Sequence, residues 1–147
     1  MKRRTFCLGA LFTAVAPSLP AIAEPIRATL YKDPQCGCCE GYAAYLRQNG
    51  FTIDIRPTND LAEISQKAGV PAELQGCHTM FVEDYVVDGH VPVSVIRKLL
   101  SERPQIAGIT LPGMPNGSPG MTGRKTAPFT IYAVAKNGAA PTVYAVE

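Results

Sequence analysis

The sequence predicts an α/β domain: a short mixed sheet flanked by helices, extended by a Gly/Pro/Met loop and a C-terminal β-hairpin. Three observations predict it. Strand-like and helix-like segments follow one another as β-α-β-α-β-β-α between Ile26 and Pro104. The first strand runs into Cys36-Gly37-Cys38-Cys39, where a helix begins. Two further alternating segments flank Asn137-Gly138 near the C-terminus.

Ile26 to Tyr31 alternates and is rich in strand formers, and Asp33-Pro34 punctuates it. From Cys38 the chain reads as a helix with Tyr42, Tyr45 and Leu46 on one face, stopped by Asn49-Gly50. Phe51 to Ile55 alternates as a second strand. Asn59 or Asp60 can cap a short second helix, with Leu61 and Ile64 inward and Gly69 at its end. Cys77 to Val82 is a third strand, and Tyr85 to Val87 returns antiparallel to it, with Asp88-Gly89 as its end. Val91-Pro92 opens a third helix with Pro92 in its first turn, and Val95, Ile96, Leu99 and Leu100 form its apolar stripe. Residues 108–123 are dense in Gly, Pro and Ser and read as one long loop, with Pro-Gly-Met at 112–114 and again at 119–121. Phe129 to Ala135 and Pro141 to Val146 complete a hairpin around a type I′ turn at Asn137-Gly138. Pro141 cannot donate to a ladder, which makes the last strand an edge.

The first 23 residues differ from the rest. Lys2, Arg3 and Arg4 precede an apolar run from Phe6 to Ala16, Pro17 and Pro20 follow, and Ala21-Ile22-Ala23 is a small-residue cleavage signal. This pattern predicts a signal peptide over residues 1–23, cleaved before Glu24, and a single domain over 24–147. The apolar run is shorter than the roughly 20 residues that span a bilayer. Removing the signal takes away three of the 14 basic residues and none of the 12 acids. The remaining 11 bases against 12 acids give a formal charge of −1, so the basic balance belongs to the signal. Neither nucleic-acid binding nor membrane insertion after cleavage is expected.

Four cysteines stay in the exported chain: Cys36, Cys38, Cys39 and Cys77. In an oxidising compartment the plain expectation is two disulfides. The density of the triad argues for more, because thiols so crowded either exchange electrons or hold a soft metal ion. A helix N-terminus favours the thiolate, which is both nucleophile and metal ligand. Thiolates with imidazole and thioether nearby suit Cu(I) best and zinc next, and closely packed thiolates can bridge more than one copper ion. Met114 is presented by proline and glycine in its loop, whereas Met80 and Met121 read as packing. Paired carboxylates, a Ser-His-Asp order and a phosphate-binding Gly-rich loop do not occur, so hydrolysis and nucleotide chemistry find no support.

A strand, a Cys-x-x-Cys and a helix resemble the thioredoxin-like plan. That resemblance places Cys77-His78-Thr79 where such folds keep a proline against the cysteines, and it sets Gly89-His90 beside them. Both histidines then flank places expected to converge on the thiols.

Lys32-Asp33-Pro34-Gln35-Cys36-Gly37-Cys38-Cys39, Cys77-His78-Thr79, Gly89-His90-Val91-Pro92 and the two Pro-Gly-Met segments resemble the CopG-type periplasmic proteins associated with bacterial copper resistance. The resemblance spans about residues 28 to 122. It implies a thioredoxin-like fold, copper bound through the Cys-x-Cys-Cys motif, and a role in changing copper between its two oxidation states. The expected core ligands are Cys36, Cys38, Cys39 and Cys77, with His78, His90 and Met114 completing the shell. Copper ions and other periplasmic copper-handling or redox proteins are the expected partners. The alternative is a thiol–disulfide oxidoreductase in which Cys36 attacks and Cys39 resolves.

Overall fold

The computed structural model describes residues 24–147. The expected signal peptide, residues 1–23, lies outside the described residues. Within them no helix is long and apolar enough to cross a membrane.

The elements in chain order are β1 (Ile26–Lys32), α1 (Gly37–Gln48), β2 (Phe51–Pro57), α2 (Leu61–Lys67), a short 3-10 turn (Ala72–Leu74), β3 (His78–Val82), β4 (Tyr85–Gly89), α3 (Val93–Glu102), β5 (Gly108–Leu111), β6 (Thr130–Val134) and β7 (Thr142–Val146). They form one mixed seven-stranded sheet in the order β2-β1-β3-β4-β5-β6-β7. β1 pairs parallel with β2 and antiparallel with β3, β3 and β4 form the expected hairpin, and β7 is an edge.

Helices cover both faces. On one, Leu30, Met80 and Val87 meet Tyr42 and Leu46 of α1 and Val95, Ile96 and Leu99 of α3. Met80 is fully buried there, in the packing role expected of it. On the other face, Val86 and Val134 pack with Val70, Ala68 and Phe81, alongside α2. No side chain caps α1 at Cys36. A good cap contributes about 1 kcal/mol. Burying Tyr42 and Leu46 contributes about 1.5–3 kcal/mol each, so packing fixes where this helix begins. The first-turn N–H groups beside the cysteines consequently have no side-chain partner.

Three expectations need correction. Residues 108–111 are not loop but strand β5, which lies inside the sheet, parallel to β4 and antiparallel to β6. All four of its residues are buried, so it lacks the alternation that marks a half-exposed strand. Pro92 is the residue before α3 rather than in its first turn. The C-terminal hairpin exists, but its connection runs over residues 135–141 and Asn137 does not take the positive φ of a type I′ turn; only Gly138 does.

β5 also explains one glycine. A Cβ on Gly108 would stand 1.8 Å from the Val86 carbonyl oxygen across the β4–β5 pair. Gly108→Ala is expected to destabilise the protein by about 2 kcal/mol or more, read as a lowered urea midpoint.

Candidate metal centre

Four segments converge at the end of the sheet nearest the start of α1. β1 ends at Lys32, and the chain turns through Asp33-Pro34-Gln35, with the Cys36 amide donating to the Asp33 carbonyl at 3.0 Å. That turn delivers Cys36 to the helix start, with Cys38 and Cys39 in its first turn. In the antiparallel register His78 lies opposite Lys32, which brings the Cys77-His78 step beside the triad. β4 ends at Gly89, where φ is +74° and a Cβ would meet the Leu111 carbonyl at 2.2 Å. The chain thereby leaves the sheet into His90. Finally, the 112–123 loop crosses α1 at close range. A Cβ on Gly120 would lie 2.4 Å from the Tyr42 nitrogen, so only glycine lets the two backbones touch.

Cys36 and Cys39 are joined by a disulfide, while Cys38 and Cys77 are free thiols. Cys38 Sγ lies 3.4 Å from Cys36 Sγ, 3.6 Å from Cys77 Sγ and 4.0 Å from Met114 Sδ. Cys77 Sγ lies 3.6 Å from Cys39 Sγ, 3.5 Å from His78 Nδ1 and 3.1 Å from His90 Nε2. The four cysteine sulfurs all fall within 4.8 Å of one another, and so do the ligand atoms of Cys77, His78 and His90. Cys77 thus belongs to a sulfur set and a nitrogen set at once. All seven residues singled out in the sequence meet here.

The imidazoles are prepared as neutral donors. His90 Nδ1–H donates to the Pro119 carbonyl at 2.6 Å, which leaves the Nε2 lone pair facing Cys77. Burial holds the His90 pKa below its ordinary value. Burial, and secondarily the neighbouring His90, pushes His78 down to about 3. His78 faces Cys77 with Nδ1, and its Nε2 is buried with no hydrogen-bond partner. Burial, with the Cys38 thiol next, pushes Cys77 up to about 12, so without metal it is a thiol that donates to His90. A bound cation reverses that preference, since thiolate is the form that ligates.

Two supports escape sequence reading. Tyr42, read as helix packing, is fully buried with its ring 4.6 Å from that of His78 and 5.2 Å from that of His90. Its hydroxyl donates to the Val91 carbonyl at 2.8 Å, so it spaces the two imidazoles and ties α1 to the His90 segment. Asp88, read only as the end of the strand, is fully buried in β4. Its carboxylate accepts from Gly76 N–H at 2.5 Å and from the Thr79 hydroxyl at 2.7 Å, which pins the loop that presents Cys77. Met114 is held at φ +46°, a costly conformation for a residue with a Cβ, and is 40% exposed above Cys38.

The chain is 34% identical to two solved forms of a protein described as "Copper resistance protein copG", each with a TM-score of 0.77. Each match covers 84% of this chain, and 99% and 98% of the two solved chains. The chain belongs to the CopG family. The likeness therefore extends over nearly the whole of each solved CopG chain. A family model described as "Protein of unknown function, DUF411" matches residues 74–121, the stretch that carries Cys77, His78, His90 and Met114. No curated protein matches the chain.

Proposed function

We propose that the protein binds Cu(I) in the periplasm through Cys36, Cys38, Cys39 and Cys77, with His78, His90 and Met114 completing the shell, and serves copper homeostasis and resistance. The observation that carries this reading is the mutual approach of four cysteine sulfurs, one of which also faces two neutral imidazoles. Soft sulfur with imidazole nitrogen suits copper, and sulfurs this close can bridge several ions. The copper-resistance description of the two solved relatives agrees with it. The export pattern of residues 1–23 supplies the address.

The disulfide sets the capacity. Reduced, the site offers four thiols; with Cys36 and Cys39 joined it offers two. Forming that bond releases two electrons, enough to reduce two Cu(II) ions to Cu(I), and this is the proposed link between thiol oxidation and copper valence. The strand order β2-β1-β3-β4, with a Cys-x-x-Cys at the start of α1, supports the thioredoxin-like ancestry of this arrangement. One observation favours thiol–disulfide exchange as the second reading. Cys36 is part-exposed while its partner Cys39 is fully buried, the asymmetry of an attacking and a resolving thiol.

Anaerobic titration of reduced protein, residues 24–147, with Cu(I) in the presence of a competing chelator is expected to give tight binding that consumes all four thiols. Preoxidation to the Cys36–Cys39 disulfide should lower the copper bound per chain. Binding no tighter than the chelator's would overturn the copper reading, and rapid reduction of a protein disulfide by copper-free protein would put the exchange reading in its place.

A further inference from the structure

Met114 is the outermost donor of the centre, and packing does not explain how its loop holds it. Exposure is graded across the site: Cys39, His78 and His90 are buried, Cys36, Cys38 and Cys77 are half-buried, and Met114 is 40% exposed. Met114 Sδ lies 4.0 Å from Cys38 Sγ. Each of these two residues follows an exposed glycine, and a Cβ on Gly37 or on Gly113 would meet nothing within 4 Å. Neither neighbour therefore puts a side chain over the sulfur pair.

The loop aims Met114 there at a cost. A backbone at φ +46° costs a residue with a Cβ on the order of 1–3 kcal/mol, and an exposed side chain offsets little of it by burial. Ser118, which is 2% exposed, clamps the base of the turn. Its hydroxyl donates to the Pro115 carbonyl at 2.7 Å, and its amide donates to the same oxygen at 3.1 Å. Just beyond, the Pro119 carbonyl accepts from His90 and the Gly120 backbone lies against α1. The segment that carries Met114 is thus fixed to the centre rather than draped over it.

We propose that Met114 is the exchange ligand through which Cu(I) enters and leaves the centre, and that Ser118 is the positioning residue that aims it at Cys38. The inference rests on the copper reading and adds the route to it. A thioether is soft, uncharged and carries no proton, so it takes copper from a donor and passes it on without a protonation step. A thiol must lose its proton as it ligates. In the transfer, one copper–donor bond breaks as the copper–Met114 bond forms. Cys38 then displaces the donor's remaining ligand, its proton passes to water, and copper stays Cu(I) throughout. Met114 therefore acts on rate more than on affinity, because the sulfurs and imidazoles behind it hold the ion once it has passed.

Reduced protein, residues 24–147, is mixed without oxygen with the Cu(I) complex of bicinchoninate, and copper-loaded protein is mixed with excess bathocuproine disulfonate. The absorbance of the two chelates follows uptake and release. Met114→Leu keeps an apolar side chain of similar size and removes the sulfur. It is expected to slow uptake and release about tenfold each, with Kd within about threefold of the parent's. Ser118→Ala retains Met114 but loses the hydroxyl clamp, and should slow both by about threefold. Met121→Leu, in the second Pro-Gly-Met, should leave both rates unchanged. A purely structural role would lower stability without slowing both directions at constant affinity. Met114→Leu exchanging within about twofold of the parental rates would overturn the inference. So would faster release with unchanged uptake, the mark of an ordinary affinity ligand, or equal slowing by Met121→Leu. Parental rates in Ser118→Ala would overturn its positioning role; should circular dichroism show that this variant does not fold, Met114→Leu decides. A parent that binds no Cu(I) overturns the copper reading and this inference together, whereas a parent that binds it while Met114→Leu keeps its rates overturns the inference alone.

Discussion

Cys38→Ser is expected to weaken Cu(I) binding by at least about 100-fold while leaving the Cys36–Cys39 disulfide able to form and exchange; a 100-fold loss corresponds to about 2.7 kcal/mol. The asymmetry comes from geometry. Cys38 Sγ is the one sulfur within reach of Cys36, Cys77 and Met114 together, at 3.4, 3.6 and 4.0 Å. It is a part-exposed thiol outside the disulfide. Serine has nearly the same shape, but its hydroxyl is a hard donor that keeps its proton, so a bridging soft ligand is lost without a cavity being made. Cys39→Ser is the contrasting variant: it removes a ligand and half of the disulfide, so both copper affinity and exchange should fall. Competition titration with a Cu(I) chelator measures the first property, and thiol counting after mild oxidation measures the second. Equal loss of copper binding and disulfide exchange in Cys38→Ser would contradict this division of roles.

The site was legible in the sequence where its chemistry is unusual, and hidden where its support is ordinary. Three cysteines within four residues, a Cys-His step and a methionine framed by proline and glycine stand out because no packing role asks for them together. The folded chain brings all of them within reach of one another. Asp88 did not stand out, because Asp-Gly after a run of valines looks like the end of a strand; its burial appears only when β5 and the Gly76 loop close over it. Pro119 contributes a carbonyl, and a backbone acceptor carries no side-chain signature. Lys32 was within reach of the pattern, since strict alternation from Ala28 through Leu30 puts it on the inner face, but a lysine at a strand end is readily taken as solvated. β5 was missed for a related reason. Its four buried residues run straight into a Gly/Pro/Ser segment whose composition dominates any window that includes both.

The paired supports of Cys77 give the metal-free, disulfide-bonded protein an unusual response to pH. His78 has an ordinary pKa of 6.5 and is pushed down to about 3 by burial and then by His90. Between those values the unfolded chain carries a proton that the folded chain refuses, so its contribution to stability rises with pH. Asp88 does the reverse. Its ordinary value of 3.8 is pushed up to about 6 by burial, against hydrogen bonds that pull it down. Between those values the folded chain holds the proton, so this contribution falls as pH rises. The protonated carboxyl is well accommodated: it can donate to Thr79 Oγ1, which passes the chain of hydrogen bonds to Ser65 and on to the Leu61 carbonyl. From about pH 4 to 6 these two slopes oppose, one proton each, and His90, also held below its ordinary value by burial, adds to the rising side. Asp88→Asn removes the falling one, and its stability is expected to climb with pH more steeply than the parent's by about 1.4 kcal/mol per unit, or about 3 kcal/mol across that window. His78→Gln removes the other and is expected to tilt downwards relative to the parent by a similar amount. Exposed pairs such as Glu63–Lys67 and Glu102–Lys98 add the same background to every variant, so the difference between profiles isolates the two buried groups. Urea unfolding across this range reads the slopes directly. Each substitution also costs a hydrogen bond or some packing, which lowers its whole curve without tilting it. Parallel profiles for the parent and both variants would mean that His78 and Asp88 are not the opposing titrating pair that the buried network implies.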